Sequence, residues 1–308
     1  MKLLLTGASG FLGRHVLDLL RRHGVPVWTL GRSCPVGQDA QSHIFCDLLA
    51  GVGLGDTLHQ LAPSHLLHLA WVTDPATYQT SPLNGDWMRA TSRLAQAFCD
   101  AGGCHMIVAG SCAEYDWSHG WCQEEKTPLR PATPYGEAKN TTRQDLLALC
   151  AQRGVRLAWA RIFFPFGPGQ AAGRLIPSLL AVLMGARVPF SVQAGQRRDF
   201  VAARDVARAL LTLLEVPAQG CFNISSGHPL AIGEVVQLLA QLIGVDPQPL
   251  LALAAMQLHP PELIAGDNSR LRALGWSGPT PIADSLAQMV ALARRELPHC
   301  LEQVHVGP

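Results

Sequence analysis

Hydrophobic and polar positions follow two periods along the chain. Apolar runs of strand length recur at 2–6, 25–30, 43–46, 65–70, 104–110, 155–164 and 220–224. Between most of them, at 11–23, 86–101, 134–153 and 204–215, apolar residues fall three and four apart, the spacing that lines one face of a helix. Strands alternating with helices predict an α/β fold, a doubly wound parallel sheet covered on both faces. After about residue 165 the rhythm loosens, with Pro or Gly at 165, 167, 168, 169, 173, 177, 185 and 189. Helical patterning returns near 231–243 and 281–295, on either side of a proline-rich stretch, QPLLALAAMQLHPPEL (248–263). This second region predicts a smaller α/β unit, with ligand bound in the crevice between the two parts.

Composition narrows the function classes. The 308 residues are 48% apolar and 15% charged, a composition that supports a packed core. A net charge of +1 offers no clustered basic footprint for nucleic acid or a lipid surface. The longest apolar stretch, 175–190, is broken by Pro177, Gly185 and Arg187, and Met1-Lys2 leads straight into the first apolar run without a basic leader region. The expectation is a cytoplasmic protein with neither nucleic acid nor membrane as partner. Nine cysteines form no Cys-x-x-Cys pair, and twelve histidines show no metal-ligand spacing, so no metal site is expected.

The first punctuation of the pattern is chemically informative. LLLTGASGFLGRHVL (3–17) passes from strand to helix through Gly7, Gly10 and Gly13. A side chain at the first would block the reversal, at the second would hold backbone N–H groups away from a pyrophosphate, and at the third would push the helix off the sheet. The helix then offers its positive N-terminus to the anion. A strand–glycine–helix unit at this place predicts dinucleotide binding. The second strand ends in Gly31-Arg32-Ser33, without the acidic residue that would accept from the 2′-hydroxyl of NAD. A guanidinium beside a hydroxyl suits a 2′-phosphate and favours NADP over NAD, with Arg14 close enough in sequence to contribute; a solvated loop charge is the other reading of Arg32. Asp47 ends the third strand, either toward the adenine amino group or as a helix cap.

Chemistry enters with TPYGEAK, where Tyr135 and Lys139 lie four apart at a helix start and share one face. An ammonium near a phenol is expected to lower its pKa and tune it as a proton donor for a sugar or alcohol oxygen. Ser111 closes the strand HMIVAGS, where a hydroxyl reaches the same oxygen or simply caps a turn.

Taken in order, TGASGFLG, HLAW (68–71), GSCAEY (110–115), EKTPLRPATPYGEAK (125–139), RIFFPFGPGQ (161–170), RRDFVAARDVARA (197–209), FNISSG (222–227) and LGW (274–276) resemble an extended short-chain dehydrogenase/reductase of the NAD-dependent epimerase/dehydratase family acting on nucleotide sugars. The resemblance implies a Rossmann-type cofactor domain over 1–165 with about 198–224, and a substrate-binding domain from 166–197 and 225–308. It implies Ser111, Tyr135 and Lys139 as the catalytic set, with Lys139 contacting the nicotinamide ribose. The expected cofactor contacts are Gly7, Ser9, Gly10, Phe11, Leu12, Gly13, Arg32, Asp47, Leu48, Leu69, Ala70, Tyr135 and Lys139. The expected substrate contacts are Trp71, Cys112, Ala113, Phe164 and Arg198, and a homodimer is implied through the helices near 86–101 and 134–153.

Departures sharpen the reading. Cys112 and Ala113 stand where 4,6-dehydratases carry an Asp-Glu pair, which argues against dehydration of that type. Trp87 and Phe164 replace two asparagines of the family pattern, removing amide donors from the expected sugar-diphosphate grip and leaving a non-sugar ketone open. Arg198 remains to hold a phosphate; structural pairing of Arg161 and Arg198 with Asp199 or Asp205 is the alternative. Trp117, His119 and Trp121 form either a lid or a surface cluster. The leading expectation is NADPH-dependent reduction of a 4-keto-6-deoxy nucleotide sugar, the alternative an NAD-retaining nucleotide-sugar epimerase, and a cofactor-binding regulator without chemistry is a third class.

Overall fold

The computed structural model describes residues 1–254 and 261–303, so part of the proline-rich stretch at 248–263 lies outside the described residues. In chain order the first half runs β1 (Leu3–Thr6), α1 (Phe11–Arg22), β2 (Val27–Gly31), β3 (His43–Phe45), α2 (Leu54–Leu61), β4 (His65–His68), α3 (Leu83–Asp100), β5 (His105–Ser111), β6 (Trp121–Cys122) and α4 (Pro134–Arg153). The second half runs β7 (Arg156–Ile162), β8 (Phe164–Phe166), α5 (Leu175–Leu183), β9 (Arg197–Arg198), β10 (Phe200–Ala202), α6 (Ala203–Glu215), β11 (Gly220–Ile224), β12 (Leu230–Ala231), α7 (Ile232–Ile243), α8 (Gln248–Leu251), β13 (Leu263–Gly266), α9 (Ser269–Ala273) and α10 (Ile282–Gln303).

Seven strands form one parallel sheet in the order β11-β7-β5-β4-β1-β2-β3. The order reverses at β1, so a crevice opens outside the carboxyl ends of β1 and β4. All four residues of β1 are buried, and their alternation divides the core. Leu3 and Leu5 pack with Val16, Leu17 and Leu20 of α1 and Val206, Leu210 and Leu213 of α6. Leu4 faces the other way, onto Leu54 and Leu58 of α2, Leu94 and Phe98 of α3 and Leu146 of α4. A third core gathers α5, α7 and α10 around Leu179, Val235, Leu239 and Leu286.

The helices that frame the crevice start where their sequences say they should. The Thr133 hydroxyl accepts from the Gly136 N–H at 3.2 Å, and Pro134 occupies the first helical position, whose N–H has no partner in any helix. Four helices escape the sequence reading: α2, α5 and the short α8 and α9. The eight residues of α2 carry Leu54, Leu58 and Leu61 on one buried stripe, between Gly53 at its start and Ala62 at its end. In α5, Pro177 falls in the first turn, where a missing N–H costs nothing, so a residue that reads as a helix breaker is tolerated. The run 155–164, read as one strand, splits: β7 stays in the main sheet, while β8 pairs with β10 beside the crevice.

Candidate active site

A cavity of about 730 Å³ runs along the carboxyl ends of the central strands. At one end lies the turn between β1 and α1. A Cβ on Gly7, whose φ is +73°, would meet the Ala70 nitrogen at 2.6 Å, and one on Gly13 would meet the Gly7 carbonyl oxygen at 2.0 Å. These two glycines therefore let β1, β4 and α1 close on one another. Gly10, exposed on the cavity wall, caps α1 without any side-chain hydrogen bond, leaving the first helical N–H groups for a phosphate. The cradle fits a dinucleotide pyrophosphate. Ser9, Phe11, Leu12, Leu48, Leu69 and Ala70 line the same cavity.

Gly31, Arg32 and Ser33 line the end of the cavity beyond β2, with Arg32 exposed and without a carboxylate partner among the described residues. Arg14 does not join them: its guanidinium donates to the Gly169 carbonyl at 2.9 Å, across the top of α1. Asp47 lines the cavity, and its carboxylate accepts the Leu49 N–H at 3.0 Å in a turn, not at a helix start, since α2 is capped by Gly53.

Ser111, Tyr135 and Lys139 converge on the middle of the cavity. Ser111 ends β5 in a tight turn, its N–H donating to the Glu114 carboxylate at 2.7 Å and its hydroxyl oxygen accepting from the Ala113 N–H at 3.2 Å. The hydroxyl hydrogen is left to face Tyr135. Glu114 is fully buried, bonded to the Trp159 indole and to Arg161 at 2.8 Å, a network that fixes the turn from behind. Arg161 is thereby structural, with Glu114 and not Asp199 or Asp205 as its partner. Helix α4 reaches this turn because Gly136 has no side chain: a Cβ there would meet the Ala113 carbonyl at 2.3 Å.

Lys139 is almost fully buried, its ammonium donating to the Ala109 carbonyl at 2.8 Å and lying 3.7 Å from the centre of the Trp71 ring. Burial pulls its pKa down to about 7, with Glu114 acting in the opposite sense. The expected acidification of Tyr135 does not occur. Burial raises the phenol well above its ordinary value, and the hydrogen bond with Ser111 only partly opposes this. The reason is geometric: the ammonium sits 5.9 Å from the phenol ring centre, turned toward a carbonyl and an indole.

The other end of the cavity is aromatic and cationic. Trp71, Trp87, Trp117, Tyr78 and Phe164 line it, together with Cys112 and Ala113. The Cys112 thiol is buried and pushed far above its usual pKa, so it stays neutral and inert as an acid–base group. Arg198 lies 5.8 Å from the Phe164 ring centre and donates to the Gln196 side chain at 2.7 Å. Arg174, which no sequence signal marks, stacks 4.5 Å over Tyr78 and donates to the Thr73 carbonyl at 2.9 Å. Among the lining residues the only carboxylate is Asp47, beyond β3, so Lys139, Arg174 and Arg198 face the substrate end without an acidic neighbour on its wall. Of the loop aromatics, Trp117 joins the cavity through a 2.7 Å bond to the Cys112 carbonyl; His119 and Trp121 do not line it.

Residues 3–225 match the NAD dependent epimerase/dehydratase family. The chain belongs to that family. A GDP-6-deoxy-D-mannose reductase from Pseudomonas aeruginosa is 29% identical over 317 residues, covering 94% of this chain and 96% of the relative. A UDP-glucose 4-epimerase from Azospirillum brasilense is 27% identical, covering 89% of this chain and 86% of its own length. The solved structure of MoeE5 in complex with UDP-glucuronic acid and NAD has a TM-score of 0.82 and 29% identity, over 96% of this chain and all of that one (100%). This epimerase/dehydratase chain is an extended short-chain dehydrogenase/reductase with a Rossmann-type sheet. Among the described residues no helix is long and apolar enough to cross a membrane, and no cluster of His, Cys, Asp or Glu is arranged to hold a metal.

Proposed function

We propose that the protein is an NADPH-dependent reductase of a keto group on a nucleoside-diphosphate sugar of the 4-keto-6-deoxy type. The observation that carries this reading is the convergence of Ser111, Tyr135 and Lys139 between a pyrophosphate cradle and a cavity end whose charged lining is cationic. A nicotinamide dinucleotide supplies the hydride. Tyr135, held neutral by burial, starts as the acid that reduction needs and passes its proton to the carbonyl oxygen as the carbon gains hydride. The Ser111 hydroxyl donates to the same oxygen, and Lys139, turned away from the phenol, is left to contact the nicotinamide ribose. Arg174 and Arg198 hold the diphosphate, and the Trp71, Trp87 and Phe164 wall packs against the sugar.

Two further observations support this assignment. Arg32 and Ser33 at the ribose end suit a 2′-phosphate, favouring NADP over NAD. Cys112 and Ala113 give dehydration no acid–base pair. The cofactor is assigned to 1–165 with about 198–224 and the sugar to 166–197 and 225–308, in a cytoplasmic homodimer formed through α3 and α4.

The test is NADPH oxidation followed at 340 nm with GDP- and dTDP-linked 4-keto-6-deoxyhexoses. Stoichiometric consumption with a 4-hydroxy product is expected. Interconversion of 4-hydroxy nucleotide sugars without net cofactor turnover would favour the NAD-dependent epimerase instead.

A further inference from the structure

Trp71 lies three residues beyond the end of β4, where it meets both halves of the site. Its ring is nearly buried and stacks on Trp87 with centroids 6.3 Å apart. Its indole N–H donates to the Asn84 side-chain oxygen at 2.9 Å. Asn84, buried at the start of α3, spends its own amide on the carbonyls of Tyr78 at 2.7 Å and Ser81 at 3.0 Å. The segment so fixed then meets the catalytic tyrosine: the Tyr135 N–H donates to the Gln79 carbonyl at 3.0 Å, and the Tyr78 ring stands edge-on to Tyr135 at 5.0 Å. One amide therefore ties together the indole that faces Lys139 and the loop that faces Tyr135.

An ammonium has three N–H donors. In Lys139 one goes to the Ala109 carbonyl and the Trp71 face lies 3.7 Å away, leaving another free for the cavity. The negative face of an indole is the strongest neutral side-chain surface for a cation, and strongest where water is excluded. We propose that Trp71, fixed by Asn84, is a positioning residue that aims the Lys139 ammonium at the cofactor ribose and keeps it charged against its burial. The inference rests on the reading that Lys139 contacts that ribose.

The groups facing Lys139 set what a titration reads. Tyr135 lies on its own helix and stays neutral. Glu114, beyond the end of β5, favours the charged amine but is itself paired with Arg161, with Arg143 at 3.9 Å. His68, from β4, is buried and held neutral by a pKa lowered to about 3. Trp71 is the uncharged contact left to vary.

The experiment is calorimetric titration of the full chain with NADH from pH 6 to 9, where the phosphates of NADH do not titrate. In the parent, affinity should fall as pH rises through the Lys139 pKa near 7, and in K139M this limb should vanish. W71L, which removes the π face, should move the midpoint down by about one pH unit, and W71F, which keeps an aromatic face, by less. N84A, which keeps the indole and frees its edge, should move it in the same direction and covers the case in which W71L does not fold. A W71L or N84A midpoint equal to that of the parent overturns the inference, as does a limb that survives in K139M. A parent that binds neither NADH nor NADPH defeats the proposed function itself, a different result from an unmoved midpoint.

Discussion

Arg174 carries a full charge into a cavity wall, with a backbone carbonyl and an aromatic face as its partners. Such a guanidinium is held in place yet not neutralised, the condition for gripping a dianion. R174Q should therefore weaken GDP or UDP binding to the cofactor-loaded protein about tenfold while leaving the free nucleosides unaffected, since one charge-assisted hydrogen bond contributes about 1.5–3 kcal/mol. Equal loss for nucleoside and diphosphate in calorimetry would contradict the assignment. At this scale the chain order Ser111, Tyr135, Lys139 was readable because strand ends and helix faces follow from periodicity. Arg174, Tyr78 and Asn84 were not readable. They meet the site through loops whose paths no local pattern encodes. The acidified phenol was a misreading of the same kind: spacing set Tyr135 and Lys139 on one face, but the Ala109 carbonyl and the Trp71 ring decided where the ammonium points.

The β1–α1 turn shows an element whose function and stability rest on the same atoms. Glycine to alanine inside a helix ordinarily gains about 1 kcal/mol, because glycine loses more freedom on folding. In α2, Gly55 has nothing within 4 Å of its absent Cβ, so G55A should be neutral or stabilising by up to that amount. In α1 the sign should reverse: a Cβ on Gly13 lands 2.0 Å from the Gly7 carbonyl, and relief means lifting the helix off the strand turn. G13A should lower the melting temperature and abolish NADPH binding together. Thermal unfolding of the two variants side by side checks this, and a G13A protein as stable as G55A would show that the close approach is not needed. The turn was legible because its glycines lie between a strand and a helix. By contrast α5 was lost in a proline- and glycine-rich region, since Pro177 reads as a breaker unless the helix start is already known.

Across the whole molecule, buried histidines link the sheet to pH, His68 and His105 most strongly. His68 is held by the hydroxyls of Thr6 at 2.6 Å and Thr91 at 2.9 Å, and burial lowers its pKa to about 3. His105 bonds the Ala218 carbonyl, and burial lowers it to about 4. The unfolded chain takes up these protons near pH 6.5 and the folded chain does not, so stability is complete above that value and is lost as pH falls toward 4. Urea unfolding from pH 7 to 4 should show a loss of up to about 1.4 kcal/mol per pH unit from each histidine, and a flat profile would contradict it. The doubly wound sheet was legible from alternation alone, whereas the cationic wall around Arg174 and Arg198 arises only when chain segments far apart in sequence meet. The central claim is that Tyr135 gives a proton to a nucleotide-sugar carbonyl as a nicotinamide gives hydride, and deuterium transfer tests it most directly. With NADPH carrying deuterium at the transferable position and a 4-keto-6-deoxy nucleotide sugar, mass spectrometry should find one deuterium on the sugar carbon that gains the hydroxyl. The rate should fall about 10²- to 10⁴-fold in Y135F at unchanged NADPH affinity. Deuterium retained in the cofactor while the sugar isomerises, or a Y135F rate equal to the parent rate, would contradict the account.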